Sequence, residues 1–256
     1  MARTFLIRGL LCGLVAGLCI FVFAHLVGEP GVDAAIGFEE AGAHASHHMA
    51  GMTDAAAPAE VELVSRDLQS GWGLFTGVMI YATALGGMFS LLFAFAWGRM
   101  GRLGARASSA LLAGAAFVAV YAVPFLKYPA NPPSVGNADT IQFRTVIYFG
   151  MVLTSIVAMI AAINLGRRLK ARLGGWNAAL AGGVAFVVIV ALAAAVLPSL
   201  NEVPEAFPAS LLWSFRLTSF GIQLLLWSVL GLLFGELTER SIRRSSVAPF
   251  AAQSVR

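Results

Sequence analysis

The chain has 256 residues, 59% of them hydrophobic and only 12% charged, with a formal net charge of +4 and a mean hydropathy of +0.81. A soluble domain carries roughly a quarter of its residues as charges, so there are too few polar side chains here to cover a water-facing surface. The balance excludes a soluble globular domain and points to a polytopic membrane protein.

Six apolar runs reach the length of about 20 residues that a helix needs to cross a hydrocarbon core, at roughly 5–27, 72–98, 107–126, 141–165, 176–197 and 211–235. They read as helices because lipid leaves only helices or closed barrels, and the short alternating segments of barrel strands are absent. The first run has the basic start of a signal peptide, but it is longer than the usual apolar stretch of about 7–15 residues, so it is expected to remain as a span. Cys12 and Cys19 lie within it, about 10 Å apart along a helix, too far for a disulfide.

The basic residues orient the bundle. Arg3, Arg8, Arg99, Arg102, Arg106, Arg167, Arg168, Lys170, Arg172, Arg240, Arg243, Arg244 and Arg256 are thirteen of the seventeen Lys and Arg, and all fall on one face. Short basic loops stay in the cytoplasm, which places that face inside. Eleven of the thirteen acids, among them Glu29, Asp33, Glu39, Glu40, Asp139, Glu202 and Glu205, fall on the other. The expected fold class is an all-α membrane protein with six transmembrane helices, both termini cytoplasmic and one long His-bearing outer loop. A single domain is expected over 1–240, with the outer loop at 28–71 and a short cytoplasmic tail at 241–256. The expected location is the inner (plasma) membrane.

The middle of the outer loop, rich in Ala, Gly and His, predicts poor order without a ligand, and its end, AEVELVSRDLQSGWG, predicts a short surface helix. Small residues recur every fourth position inside the spans: Gly9, Gly13 and Gly17; Gly86, Ser90, Ala94 and Gly98; Gly231 and Gly235. Such rows let helix backbones approach closely, and bundle packing is their ordinary use. A weak internal repeat also shows, in which Pro124, Asn131 and Phe143-Arg144 are echoed by Pro198, Asn201 and Phe215-Arg216. Repeats of this kind are common in transporters, and chance similarity of proline-rich turns is the alternative.

The candidate metal ligands are His44, His47, His48, Met49 and Met52, with three of the four histidines inside five residues. Imidazole suits Co, Ni, Cu and Zn, and thioether favours Cu(I); short His-rich tracts are a compositional sign of metal binding. A solvated linker without metal is the competing reading. Pore or entrance candidates are His25 and Glu29 near the end of the first span, and Asn131, Arg144, Asn201, Glu202, Glu205 and Arg216 around the later outer turns. Arg144 and Arg216 lie just inside their spans. They either snorkel to the interface or pair with Asp139, Glu202 or Glu205 to shape an outer mouth; an anion carrier would use them as binding charges.

No P-loop, HExxH or GxSxG motif occurs, and Asp, Glu and Lys are missing from the middles of the spans. An enzyme reading therefore has no catalytic constellation behind it, and a buried proton relay within one subunit is not expected.

The stretch VPFLKYPANPPSVGNADTIQFRTVIY, its echo LPSLNEVPEAFPASLLWSFRLTSFG, the expected Glu29-Pro30 turn and the His-bearing first loop together resemble the CbtA family, along nearly all the chain. The resemblance implies a predicted cobalt transporter subunit linked to cobalt supply for cobalamin synthesis, with His44, His47 and His48 in the family's His-bearing outer loop. It also implies a small His-containing partner, CbtB. The expected function is uptake of cobalt or a similar divalent cation with capture by the outer loop. The alternative is a non-transporting metal-binding or assembly subunit that delivers ions to a partner channel. No permanently bound cofactor is expected, the metal being substrate. The bilayer is the expected partner, a homo-oligomer stays open, and nucleic acid is not expected.

Overall fold

A computed structural model describes residues 2–49, 64–133 and 135–253, with the side chains of 2, 43–49, 138 and 245–253 left out. Among the described residues the chain is all-helical, without strands. Helix α1 (Ala2–Phe23) runs through a π-helical turn (Ala24–Gly28) into α2 (Glu29–Met49). A short α3 (Arg66–Leu68) passes through a second π turn (Gln69–Gly73) into α4 (Leu74–Ala96), and α5 (Ala105–Ala116) passes through a third (Phe117–Ala122) into α6 (Val123–Lys127). Helix α7 spans Ile141–Val196 and α8 spans Ala209–Gln253. Among the described residues five helices are long and apolar enough to cross a membrane, within Arg3–Gly42, Arg66–Ala96, Ala105–Lys127, Ile141–Val196 and Ala209–Arg244.

Two of the π turns have a cause in the sequence. Proline has no N–H to donate and its ring collides with the carbonyl four residues back. Pro30 follows the turn Ala24–Gly28, and Pro124 follows Phe117–Ala122. In each turn the bonding widens to five residues, with Glu29 N–H donating to Ala24 O and Val123 N–H to Val118 O. The extra residue shifts the ladder so that the helix passes its proline instead of ending there. This corrects the expectation of a turn at Glu29-Pro30: the first part of the segment expected as the outer loop is helical. The segment VDAAIGFEEA has good helix formers, and the helix continues to Met49. The short helix expected before the second span is α3.

The 56 residues of α7 contain one non-helical residue, Gly174, at φ 75° and ψ 169°. This left-handed region is open to glycine and costly for other residues. The two halves fold back on each other: a Cβ on Gly182 would sit 2.8 Å from Ala162 O, and one on Gly166 would sit 3.2 Å from Ala178 O. The pairing of 162 with 182 and of 166 with 178 is that of an antiparallel hairpin.

The chain divides into two compact units, Met1–Gly114 with Leu217–Arg256, and Ala115–Arg216. The first unit is held by small residues, as the spacing predicted. A Cβ on Gly9 would overlap Gly86 and Ser90, and one on Gly13 would lie 2.5 Å from Ala82 O, so the backbones of α1 and α4 touch. Gly231 meets Ala113, and Gly235 meets Ser109 and Arg106, where the Ser109 hydroxyl donates to Gly231 O at 2.7 Å. Gly98 does not continue the row. It has φ 79° with nothing within 4 Å of a built Cβ, and it lies just beyond the Trp97 cap of α4. Phe5, Phe89, Phe93 and Phe234 fill the space beside these contacts, with edge-on ring pairs 5.0–5.5 Å apart.

The two acids on the basic face are structural. Glu236 binds Arg106 and Arg240, and Glu239 Oε2 accepts the Ala105 N–H at 2.9 Å, a carboxylate capping the positive end of α5.

Gly13→Val should lower stability by at least about 1–3 kcal/mol, the usual cost of overpacking, because the Cβ meets the Ala82 backbone. Gly77→Ala, where nothing lies within 4 Å, should leave the melting temperature in detergent near the parent value. Equal shifts in the two variants would contradict backbone contact at α1 and α4.

Candidate functional site

Charged side chains gather in two places, one in each unit. In the first unit it surrounds the π turns Ala24–Gly28 and Gln69–Gly73. The His25 ring stacks on Phe21 with centroids 5.7 Å apart, and its Nδ1 lies 3.2 Å from Ser70 O. Four residues on, Glu29 pairs with Arg66, which also reaches Asp33 at 2.8 Å. Glu29 and Asp33 are four apart on α2 and so neighbours on its surface. Arg66 therefore sits on two carboxylates that would otherwise repel each other.

In the second unit the connection between α6 and α7 is clasped to the one between α7 and α8. Glu202 takes a 3.2 Å ion pair from Arg144 Nη1, a bond from Thr140 Oγ1 at 2.6 Å and one from the Asn137 N–H at 3.0 Å. Arg144 Nη2 also donates to Asn137 O. Arg216 reaches the other way, donating from Nη2 to Asn131 Oδ1 at 2.9 Å and from Nε to Ala130 O at 3.3 Å. Tyr128 OH donates to Pro198 O at 2.9 Å, and Lys127 lies 3.3 Å from the Ser199 hydroxyl. Gly136, at φ +129°, lies under the Arg144 guanidinium, where a Cβ would come within 2.9 Å of Cζ. Both its conformation and its missing side chain are needed there.

The candidates divide accordingly. Asn131, Arg144, Glu202 and Arg216 meet in the clasp, and the echo between Arg144 and Arg216 is physical, each reaching across to the other connection. Asn201 and Glu205 are exposed nearby and Asp139 does not pair with either arginine, its N–H donating to Asn137 Oδ1 instead. His25 and Glu29 belong to the first cluster. The side chains of His44, His47, His48 and Met49 lie outside the described residues, as does all of Met52. Among the described residues no three His, Cys, Asp or Glu side chains converge as a metal site.

The sequence reading missed Arg66, Thr140 and Asn137. For Arg66 a signal existed. With thirteen of seventeen basic residues expected on the other face, the four left over are Arg66, Lys127, Arg144 and Arg216, and every one of them contacts a partner in its own unit. An isolated cation in an acidic region marks a structural contact.

A family model described as a probable cobalt transporter subunit (CbtA) matches residues 2–239. No curated protein and no solved structure matches the chain at a significant level.

Glu202 supplies a pH test of the clasp. The Thr140 hydroxyl and the Asn137 N–H hold its carboxyl below the usual range, and the nearby Arg144 charge adds to this against the opposing effect of burial. A depressed folded pKa contributes stability that is fully present above the unfolded value of about 4.3 and is lost as the pH falls through the folded value. The melting temperature should therefore drop with acidification below about pH 4.3, and Glu202→Gln should be less stable than the parent at pH 7 with a shallower acid limb. Parallel acid limbs in parent and variant would remove Glu202 from the clasp.

Proposed function

We propose that this chain, which belongs to the CbtA family, is an integral membrane subunit for uptake of cobalt or a similar divalent cation. The match along residues 2–239 carries the reading. The apolar helices make the chain a multi-pass membrane protein, with lipid as its environment and the metal as substrate. Helix α7 doubles back at Gly174, which supports six crossings from five apolar helices. With thirteen of the seventeen basic residues on one face, both termini lie in the cytoplasm and the membrane is the inner one.

On the outer side, acidic residues concentrate cations. His44, His47, His48, Met49 and Met52 capture them, and the spacings of three and four residues among His44, His47 and His48, within α2, are those at which helical positions are neighbours. His25 and Glu29 stand at the root of that segment. Arg144, Glu202, Asn131 and Arg216 serve by holding the later connections in shape, while Asn201 and Glu205 face the arriving ion. Because the arginines are engaged with Glu202 and Asn131, they are poorly placed as the binding charges of an anion carrier.

A second reading has an observation of its own. The family's description is of a subunit. A non-transporting metal-binding or assembly subunit that hands ions to a partner, such as CbtB, accommodates that.

The capture segment is tested by replacing His44, His47 and His48 with Ala. The variant should insert normally, since these positions lie outside the apolar spans. Metal accumulation by cells should fall most at low external cobalt, where capture limits the rate, and recover when metal is abundant. Affinity should weaken as the pH drops through about 6.5, where free imidazole gains its proton and ceases to be a ligand. Parent-like accumulation at every concentration would make the segment a solvated linker.

A further inference from the structure

Along the crossing of the two halves of α7 runs a groove of about 540 Å³, within the range of small-ligand sites. Its walls include Val118, Met159, Gly183 and Phe186, and Arg167 and Lys170 line it at the turn between the halves. The turn carries four basic residues, Arg167, Arg168, Lys170 and Arg172, and the whole of α7 has no acid. Trp176, 76% exposed, stands beside it, and tryptophan is enriched at the level of lipid headgroups.

We propose that this groove binds an anionic phospholipid, its phosphate against Lys170 and Arg167 and one acyl chain against Val118, Met159 and Phe186. The chemistry selects this occupant. A metal cation is repelled by the positive charge of Lys170 and its basic neighbours on a helix that has no acid. A soluble anion has no use for apolar walls of this length, and a neutral lipid none for the two cations. Basic pockets between spans on the cytoplasmic side suit acidic headgroups, and the turn carries the basic charge that marks the cytoplasmic face. The site is independent of the metal reading, since none of its residues belongs to the outer clusters.

Native mass spectrometry of the full chain in detergent, with added phosphatidylglycerol or phosphatidylcholine, tests the assignment. Phosphatidylglycerol should be retained preferentially, and an excess of inorganic phosphate should not displace it. Lys170→Gln should weaken its retention about fivefold, corresponding to ~1 kcal/mol for one basic residue near a membrane surface, and Lys170→Arg should restore it. Gly183→Leu fills the groove where nothing lies within 4 Å of a built Cβ, and should remove the adduct while the melting temperature without lipid stays near the parent value. Equal retention of phosphatidylcholine, displacement by inorganic phosphate, or undiminished phosphatidylglycerol binding in folded Gly183→Leu would each overturn the site.

Discussion

The hydrocarbon core offers no water to an unpaired backbone group, and most of the architecture answers to that restriction. A break in a helix at membrane depth leaves N–H and C=O groups costing several kcal/mol each. Pro124, inside an apolar run, is accordingly met with a π-helical turn that re-pairs the ladder, and among the described residues the left-handed glycines lie in connections at 98, 101, 136 and 174. Lipid supplies no hydrophobic drive between helices, so association rests on close packing and hydrogen bonds. Gly9, Gly13 and Gly86 bring α1 and α4 into backbone contact, and the Ser109 bond to Gly231 O adds a polar tie.

The same restriction sends ionisable groups to the helix ends, where the two faces treat them differently. On the basic face, Glu236 and Glu239 are spent on neighbouring arginines and on the start of α5. On the acidic face the scarce cations are all engaged. Arg66 joins Glu29 to Asp33, and Arg144 and Arg216 lock two connections to each other. The remaining acids keep that face negative, which favours arrival of cations.

Much of the fold was legible because burial in lipid demands long apolar runs, and these survive any detail of packing. The glycine rows at 9, 13 and 231, 235 were legible because only small residues allow such approach. Gly98 was misread, since a glycine at the right interval and a helix-ending glycine look alike until φ is known. Helix α2 was hidden by Pro30, because a π turn leaves no compositional mark and a proline ordinarily signals an end. In the clasp, Arg144 and Arg216 stood out as charges inside apolar runs, whereas Thr140 and the Asn137 backbone carried no signal at all. Which partner an arginine chooses depends on how the connections fold back, and spacing does not encode that.

Movement of the metal across the membrane separates the uptake reading from that of an assembly subunit. The most direct measurement is the entry of radiolabelled cobalt into sealed liposomes containing the purified full-length protein, compared with protein-free liposomes and with the same preparation after excess unlabelled cobalt. Uptake requires a saturable rise of internal label above the protein-free level. Label that binds to the protein yet never enters the lumen, and enters only when a partner is co-reconstituted, would contradict autonomous transport and make the chain the receiving subunit of a larger assembly.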